Sequence, residues 1–172
     1  HAELARLINA LCYDESSGFY FDRWEGGLIK RFHAGAFWPL IAGVVPPERV
    51  ARYVALIRDP AKFNRPVPFP SLAADDPDYA PETGYWTGAV WPPTTYALLR
   101  GLRLVGEEDL AVTFARAYYN ANAHLFARTG TIWENLSPEQ CERPKAKSGD
   151  SFCGWGALAP ISIAREFLGF VP

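Results

Sequence analysis

The sequence predicts an all-α protein built from helical hairpins, and three observations lead there. Six stretches carry helical periodicity or helix-start signals. They fall into three consecutive pairs, with short turns inside a pair at residues 44–47 and at Gly106. Long loops rich in aromatic residues stand at alternate junctions. Short connections between consecutive helices make them antiparallel neighbours.

The first helix is expected over residues 3–13, where Leu4, Leu7, Ile8 and Leu11 share one face. Asp14-Glu15-Ser16-Ser17-Gly18 reads as a turn. The aromatic run from Phe19 to Trp24 reads as a hairpin or extended loop, with Gly26-Gly27 at its tip and residues 28–32 as its return. Residues 34–44 form a short apolar helix with Pro39 in its first turn or at a kink. Pro46-Pro47 breaks the chain, and a helix restarts at Pro47 with Glu48 in its first turn, where the helix dipole favours an acid. Val50, Tyr53, Val54 and Ile57 are its buried face.

Residues 58–83 hold six prolines and the acidic group Asp75, Asp76 and Asp78. Loops this long are functional or disordered more often than not, and Phe63, Val67, Phe69, Leu72 and Tyr79 supply packing groups, so an ordered loop is expected. A helix follows over residues 94–105, with Pro92 and Pro93 at its start, where a missing N–H costs nothing. Gly106 ends it. The longest helix is expected over residues 107–127, ending before Gly130. A short extended run at residues 131–136 and a polar loop at 137–151 lead to a final helix over residues 155–168, interrupted near its start by Pro160. Hairpin arrays bury their faces against neighbouring hairpins. Three hairpins are half of the six that close an (α/α)6 toroid, so the 172 residues are expected to form one partial barrel with uncovered apolar sides at both ends.

Composition narrows the functional classes. A hydrophobic fraction of 49% supports a real core. A net charge of −2 leaves no basic footprint for nucleic acid, and no apolar run reaches membrane-spanning length. Cys12, Cys141 and Cys153 are scattered, with no metal-type spacing, and His1, His33 and His124 are isolated. No metal site is expected, and a reducing, cytoplasmic setting is favoured. There is no G-x-S-x-G elbow, no phosphate-binding loop and no histidine near Cys153 in sequence to activate it. The sequence contains no methionine, and the chain is expected to be processed, trimmed or a fragment.

Aromatic residues and carboxylates remain. Tyr85, Trp86 and Trp91 surround Gly88 ahead of the double proline, in a loop that delivers rings to a helix mouth or simply to the core. Glu134 lies between Trp133 and Asn135, with Trp155 expected nearby. A carboxylate among aromatic faces suits sugar chemistry, because rings stack on sugar CH faces while the acid or base works at the glycosidic oxygen or water. The bland alternative is a solvated loop glutamate. Asp75, Asp76 and Asp78 read as turn residues. Asp22 and Asp150 are ligand contacts or caps.

Several segments together resemble glycoside hydrolase family 63 and its relatives, the mannosylglycerate and glucosylglycerate hydrolases and, more distantly, the trehalases. Tyr85-Trp86-Thr87-Gly88-Ala89-Val90-Trp91-Pro92-Pro93 is similar to the family's Y-W-R-G-x-x-W segment. Trp133-Glu134-Asn135-Leu136-Ser137-Pro138-Glu139 is similar to its W/Y-E-x-Y-x-P-E-T-G. Phe152-Cys153-Gly154-Trp155-Gly156-Ala157-Leu158 matches F-x-G-W-S/T-A/G-L. Upstream, residues 13–22 match W-D-E-x-T-G-F-Y-Y-D, and residues 70–77 match P-S-L-S-x-D-D-P.

The resemblance implies an (α/α)6 barrel that hydrolyses α-glycosides with inversion, without a cofactor, using an acid Asp and a base Glu. Glu134 matches the base. Trp86, Trp91, Trp133 and Trp155 would wall the pocket, and Tyr85 would bond a sugar hydroxyl. Asp22 is a further substrate contact. The family's acid lies in an earlier G-M-D-x-S-P segment that these residues lack, so the chain is expected to be the C-terminal half, weak or inactive alone. Its expected partners are a small carbohydrate or oligosaccharide and either a second copy or the missing N-terminal half. Asp22 or Asp76 acting as acid across a dimer is a further option. The rival reading is a non-catalytic carbohydrate-binding or scaffold module. Four departures stand out: Thr87 for Arg, Thr95 for Asn, Leu136 for Tyr and Cys141 for Gly.

Overall fold

Helices carry about half of the chain in the computed structural model, which describes residues 1–83, 85–142 and 154–170. Among the described residues the helices are α1 (Ala2–Leu11), α2 (Trp38–Ile41), α3 (Pro47–Arg58), α4 (Pro92–Leu104), α5 (Glu108–Thr129) and α6 (Leu158–Ser162). A 3-10 turn, Ala34–Phe37, leads into α2, and a π-helical turn, Ile163–Phe167, continues α6.

The fold is not purely helical. β1 (Tyr13–Asp14) pairs antiparallel with β2 (Phe19–Tyr20), and β3 (Asp22–Trp24) with β4 (Gly27–Ile29). The sequence predicts one hairpin here; the structure has two. Asp14 accepts hydrogen bonds from the Ser16 and Ser17 hydroxyls and the Ser17 amide, and Gly18 closes the turn at φ +73°. Those bonds, with Lys30, hold the Asp14 carboxyl well below the usual carboxylate range. Tyr13 therefore belongs to a ribbon, and α1 stops at Leu11.

The helix pairing also departs from simple consecutive hairpins. α2 packs against α4, and α4 against α5. Gly101 makes the first approach feasible, because a Cβ there would lie 2.6 Å from Leu40 Cβ. α3 is held through Tyr53, whose ring touches Phe19, Tyr20 and Phe37 and whose hydroxyl donates to the Ala36 carbonyl. The last helical stretch changes pitch along its length, with Pro160 in the first turn of α6, where its missing N–H is harmless.

Two cores result. The larger joins the rings of Phe19, Phe21, Phe37, Tyr53 and Phe63 to Leu98, Leu99 and Leu102 of α4. The smaller gathers Val67, Val90, Tyr118, Leu125, Trp133 and Leu136. Each fully buried Leu or Phe contributes about 1.5–3 kcal/mol.

The two ends are bare. α1 has no buried residue and exposes Leu4, Leu7 and Leu11. At the other end, Phe126, Ile161, Leu168 and Phe170 are each at least half exposed. No helix among the described residues is long and apolar enough to cross a membrane.

Candidate functional site

Three segments distant in sequence lie side by side and build the site. Val90 bridges to Pro70 on one flank and to Leu136 on the other. The Val90 amide donates to the Leu136 carbonyl at 2.8 Å, the Leu136 amide returns a bond to Val90 at 3.0 Å, and the Ser71 amide donates to Ala89 at 2.9 Å. A fourth segment joins where His33 pairs with Leu72. Two backbone positions make this possible. Phe69 is buried at φ +70°, a left-handed conformation that costs a non-glycine residue of order 1–3 kcal/mol. Gly88, at φ +153°, has Tyr79 and Pro81 so close that a Cβ would sit within 3.0 Å of both.

This ribbon assembles four of the predicted aromatic residues. Trp86 stacks on Trp91 with centroids 4.3 Å apart and planes 9° from parallel. Trp155 meets Trp91 edge-on at 5.8 Å and Trp86 at 6.3 Å, and Tyr85 meets Trp91 at 6.1 Å. Trp91 is buried, whereas Trp86 is 40% and Tyr85 59% exposed, so Trp86 offers a face to solvent. Trp133 takes a different place: it packs in the smaller core, and its Nε1 donates to Thr129 Oγ1 at 3.0 Å.

Glu134 stands half-buried on the third segment, just before the Val90–Leu136 bridge. Among the described residues its carboxylate has no hydrogen-bond or ion-pair partner. Glu139, farther along the same segment, is fully engaged. Arg65 grips both its oxygens at 2.8 Å, and the Tyr79 hydroxyl donates to Oε1 at 2.6 Å. Arg65 lowers the Glu139 pKa from its ordinary value; burial, reinforced by Glu139, raises that of Tyr79. The Val67 amide donates to the Pro138 carbonyl at 2.9 Å, so the proline-rich loop clamps the Glu134 segment from below.

Asp22 lies at the start of β3 and joins His33, Gly35, Ser71, Trp86 and Thr94 around a cleft of about 250 Å³. His33 Nε2 is 3.1 Å from Asp22 Oδ2. His33, Ser71 and Thr94 are not among the site residues that the sequence predicts. Ser71 lies within a quoted motif, but nothing in the sequence pairs His33 with Asp22. Asp75, Asp76 and Asp78 are tied to Lys62 and Arg31, as structural residues would be. Asp150 and Cys153 lie outside the described residues.

The four departures from the motifs sit in different surroundings. The Thr87 carbonyl accepts from Ala80 at 2.7 Å. Leu136 is core, and Thr95 is fully buried. Cys141 adopts φ +51°, where glycine would be unstrained.

The chain resembles known proteins over most of its length. The family model for the mannosylglycerate hydrolase MGH1-like glycoside hydrolase domain matches residues 1–153. The chain is similar to the family 63 mannosylglycerate hydrolase of Thermus thermophilus. With that enzyme's glucose complex it shares 27% identity and a TM-score of 0.73, over 94% of this chain and 38% of that one. With the complex holding Tris and D-glycerate the values are 28% and 0.74, over 94% and 37%. The neutral trehalase Nth1 of Saccharomyces cerevisiae shares the fold, at 16% identity and a TM-score of 0.73 over 95% of this chain and 29% of that one. An uncharacterized protein of Borreliella burgdorferi is 25% identical over 77% of this chain and 29% of its own length. The chain thus spans well under half the length of these relatives.

Proposed function

The chain belongs to the mannosylglycerate hydrolase MGH1-like glycoside hydrolase domain family, and from that membership we propose that it carries the general-base side of an inverting α-glycosidase site. Glu134 is the base. Its carboxylate takes a proton from a water whose oxygen attacks the anomeric carbon from the face opposite the leaving group. A second carboxyl group protonates the departing oxygen; inverting pairs stand about 6.5–9.5 Å apart to admit the water. That acid lies outside these 172 residues, in further helices that complete the six-hairpin toroid and cover the bare ends. These 172 residues are its second half.

One observation carries this reading. The Pro70–Val90–Leu136 ribbon sets the segment bearing Glu134 beside the strand that presents Trp86. The substrate is a small carbohydrate, with Trp86 and Trp155 as apolar walls, Trp91 behind them and Tyr85 and Asp22 at the rim. Trp133 supports the base segment from the core.

The test is Glu134→Gln in the full-length chain. Turnover of an α-glucoside should fall by about 10²–10⁴, with sugar binding retained. Unchanged turnover would overturn the assignment. Sugar binding with no turnover in the wild type would favour the non-catalytic module instead, a reading to which the threonine at position 87 lends weight.

A further inference from the structure

We infer that the arginines gathered around the turn Ile163–Phe167 form a binding site for a phosphate-type oxyanion, separate from the aromatic cleft.

The charges at this turn do not balance. Arg100 Nη1 is 3.4 Å from Glu166 Oε1, Arg103 Nε is 2.6 Å from Oε2, and Arg165 Nε is 3.6 Å from Oε1. Three guanidinium groups thus share one carboxylate, and each keeps its charge at any working pH. Arg116 adds a fourth positive charge, 5.5 Å from the ring centroid of Phe167, the next residue along the turn. Among the described residues, none of the four has another acid within ion-pair distance. Glu107, close to Arg103 in sequence, is taken by Arg58. The whole chain carries a net charge of −2, so the positive surplus is local.

The hydrogen bonds do not balance either. Arg100 Nη1 donates to Glu166 Oε1, and Arg103 Nη2 donates to the Glu166 carbonyl at 2.8 Å. Among the described residues the three arginines make no other hydrogen bond, although each guanidinium carries five N–H donors. Arg103 Nε and Arg165 Nε are buried without a hydrogen-bond partner, and so is Glu166 Oε2 despite its short ion pair. Charged donors left unanswered cost free energy that an added acceptor recovers.

Burial sets the direction of approach. Glu166 is fully buried, whereas the side chains of Arg100, Arg103 and Arg165 stay 23%, 27% and 29% exposed. The carboxylate lies beneath the guanidinium layer and holds it in place, so a ligand meets the arginines from the solvent side. The turn itself is π-helical, a geometry that recurs at functional sites.

Chemistry selects the ligand. Guanidinium forks pair bidentately with planar or tetrahedral oxyanions. A carboxylate brings two oxygens and one charge; a phosphate brings more of both, which suits several forks and a surplus greater than one charge. Arg100 and Arg103 lie beyond Thr94 on α4, by about 9 and 14 Å along the axis at 1.5 Å per residue. The site is therefore distinct from the cleft that Thr94 lines.

The experiment uses the full-length chain, titrated calorimetrically with inorganic phosphate. Saturable binding is expected, weakening as sodium chloride is raised. Arg100→Gln and Arg165→Gln should each raise the Kd for phosphate about 10–100-fold, the loss of one charge-assisted fork. Both leave Arg103 on Glu166. Arg116→Gln, at an exposed position where folding is not at stake, should raise it about two- to fivefold. Phosphate should also raise the melting temperature of the wild type by binding the folded state. Its general salting-out effect persists in the variants, so the difference between wild type and variant reads the site. Two further probes separate the sources of the anion. Competition by methyl phosphate without vesicle binding assigns a soluble ion or ester; binding to vesicles containing phosphatidic acid, lost in the same variants, assigns a lipid headgroup. No saturable phosphate binding, the result if carboxylates elsewhere in the full-length chain already neutralise the arginines, would overturn the inference. So would a wild-type Kd in both Arg100→Gln and Arg165→Gln.

Discussion

Glu134 and Glu139 share one short segment and live under opposite conditions. Glu139 is held by Arg65 and Tyr79 and cannot leave its place; Glu134 has no such tie among the described residues. The difference is testable through pH. The Glu139 pKa is lowered in the folded chain, so its stabilisation is complete above the ordinary carboxylate value of 4.5 and is lost as pH falls through the lowered one. Glu139→Gln should therefore lower the melting temperature at pH 7, and the gap to wild type should narrow progressively in melts taken below pH 4.5. A gap independent of pH would mean that packing, not charge, is what the substitution removes. The sequence offers no means of separating the two glutamates, because Arg65 is remote in the chain and meets Glu139 only when the loop folds over. The tryptophans are legible as a group. Which of them turns inward, as Trp133 does, depends on the ribbon and cannot be read from spacing. His33 looks isolated for the same reason: its partner Asp22 reaches it only across a turn of chain that no periodicity describes.

Among the elements, the helices are the most legible. Apolar spacing, Pro at the first helical positions of α3 and α4 and glycine after α4 and α5 locate them within a few residues. What spacing cannot reveal is which helices touch. The α2–α4 contact depends on one missing methyl group at Gly101, a feature visible only once Leu40 is seen against it. Gly101→Ala should overpack this contact and cost about 1–3 kcal/mol, a fall in melting temperature of about 2–12 °C. Calorimetry would measure it, and a neutral outcome would mean that the two helices can part without loss. At the far end of α4, Arg100 and Arg103 converge with Arg165 on the fully buried Glu166, whose Oε2 is 2.6 Å from Arg103 Nε. That charge cluster ties the π-helical turn to α4, where pitch alone would give it little hold.

For the molecule as a whole, the bare ends are the outstanding feature. α1 is amphipathic, yet it has no buried residue, and Leu4, Leu7 and Leu11 are all exposed. Such a face costs solubility until another surface covers it. A preparation limited to these 172 residues should self-associate at about tens of micromolar. Glu in place of Leu4 and Leu7 should weaken that association, as measured by light scattering. A clean monomer before substitution would show that α1 needs no cover. The apolar stripe of α1 is legible in the sequence through the spacing of Leu4, Leu7 and Leu11; that it faces outward is not.

The paired amides of Val90 and Leu136 have a consequence in time as well as in space. Each donates to the other's carbonyl across the middle of the site, so in deuterium oxide neither proton can leave until the two segments part. Their exchange acts as a clock for opening of the site. A bound sugar should slow both protons by the same factor, and unequal slowing would reveal that the aromatic strand and the Glu134 segment come apart one at a time.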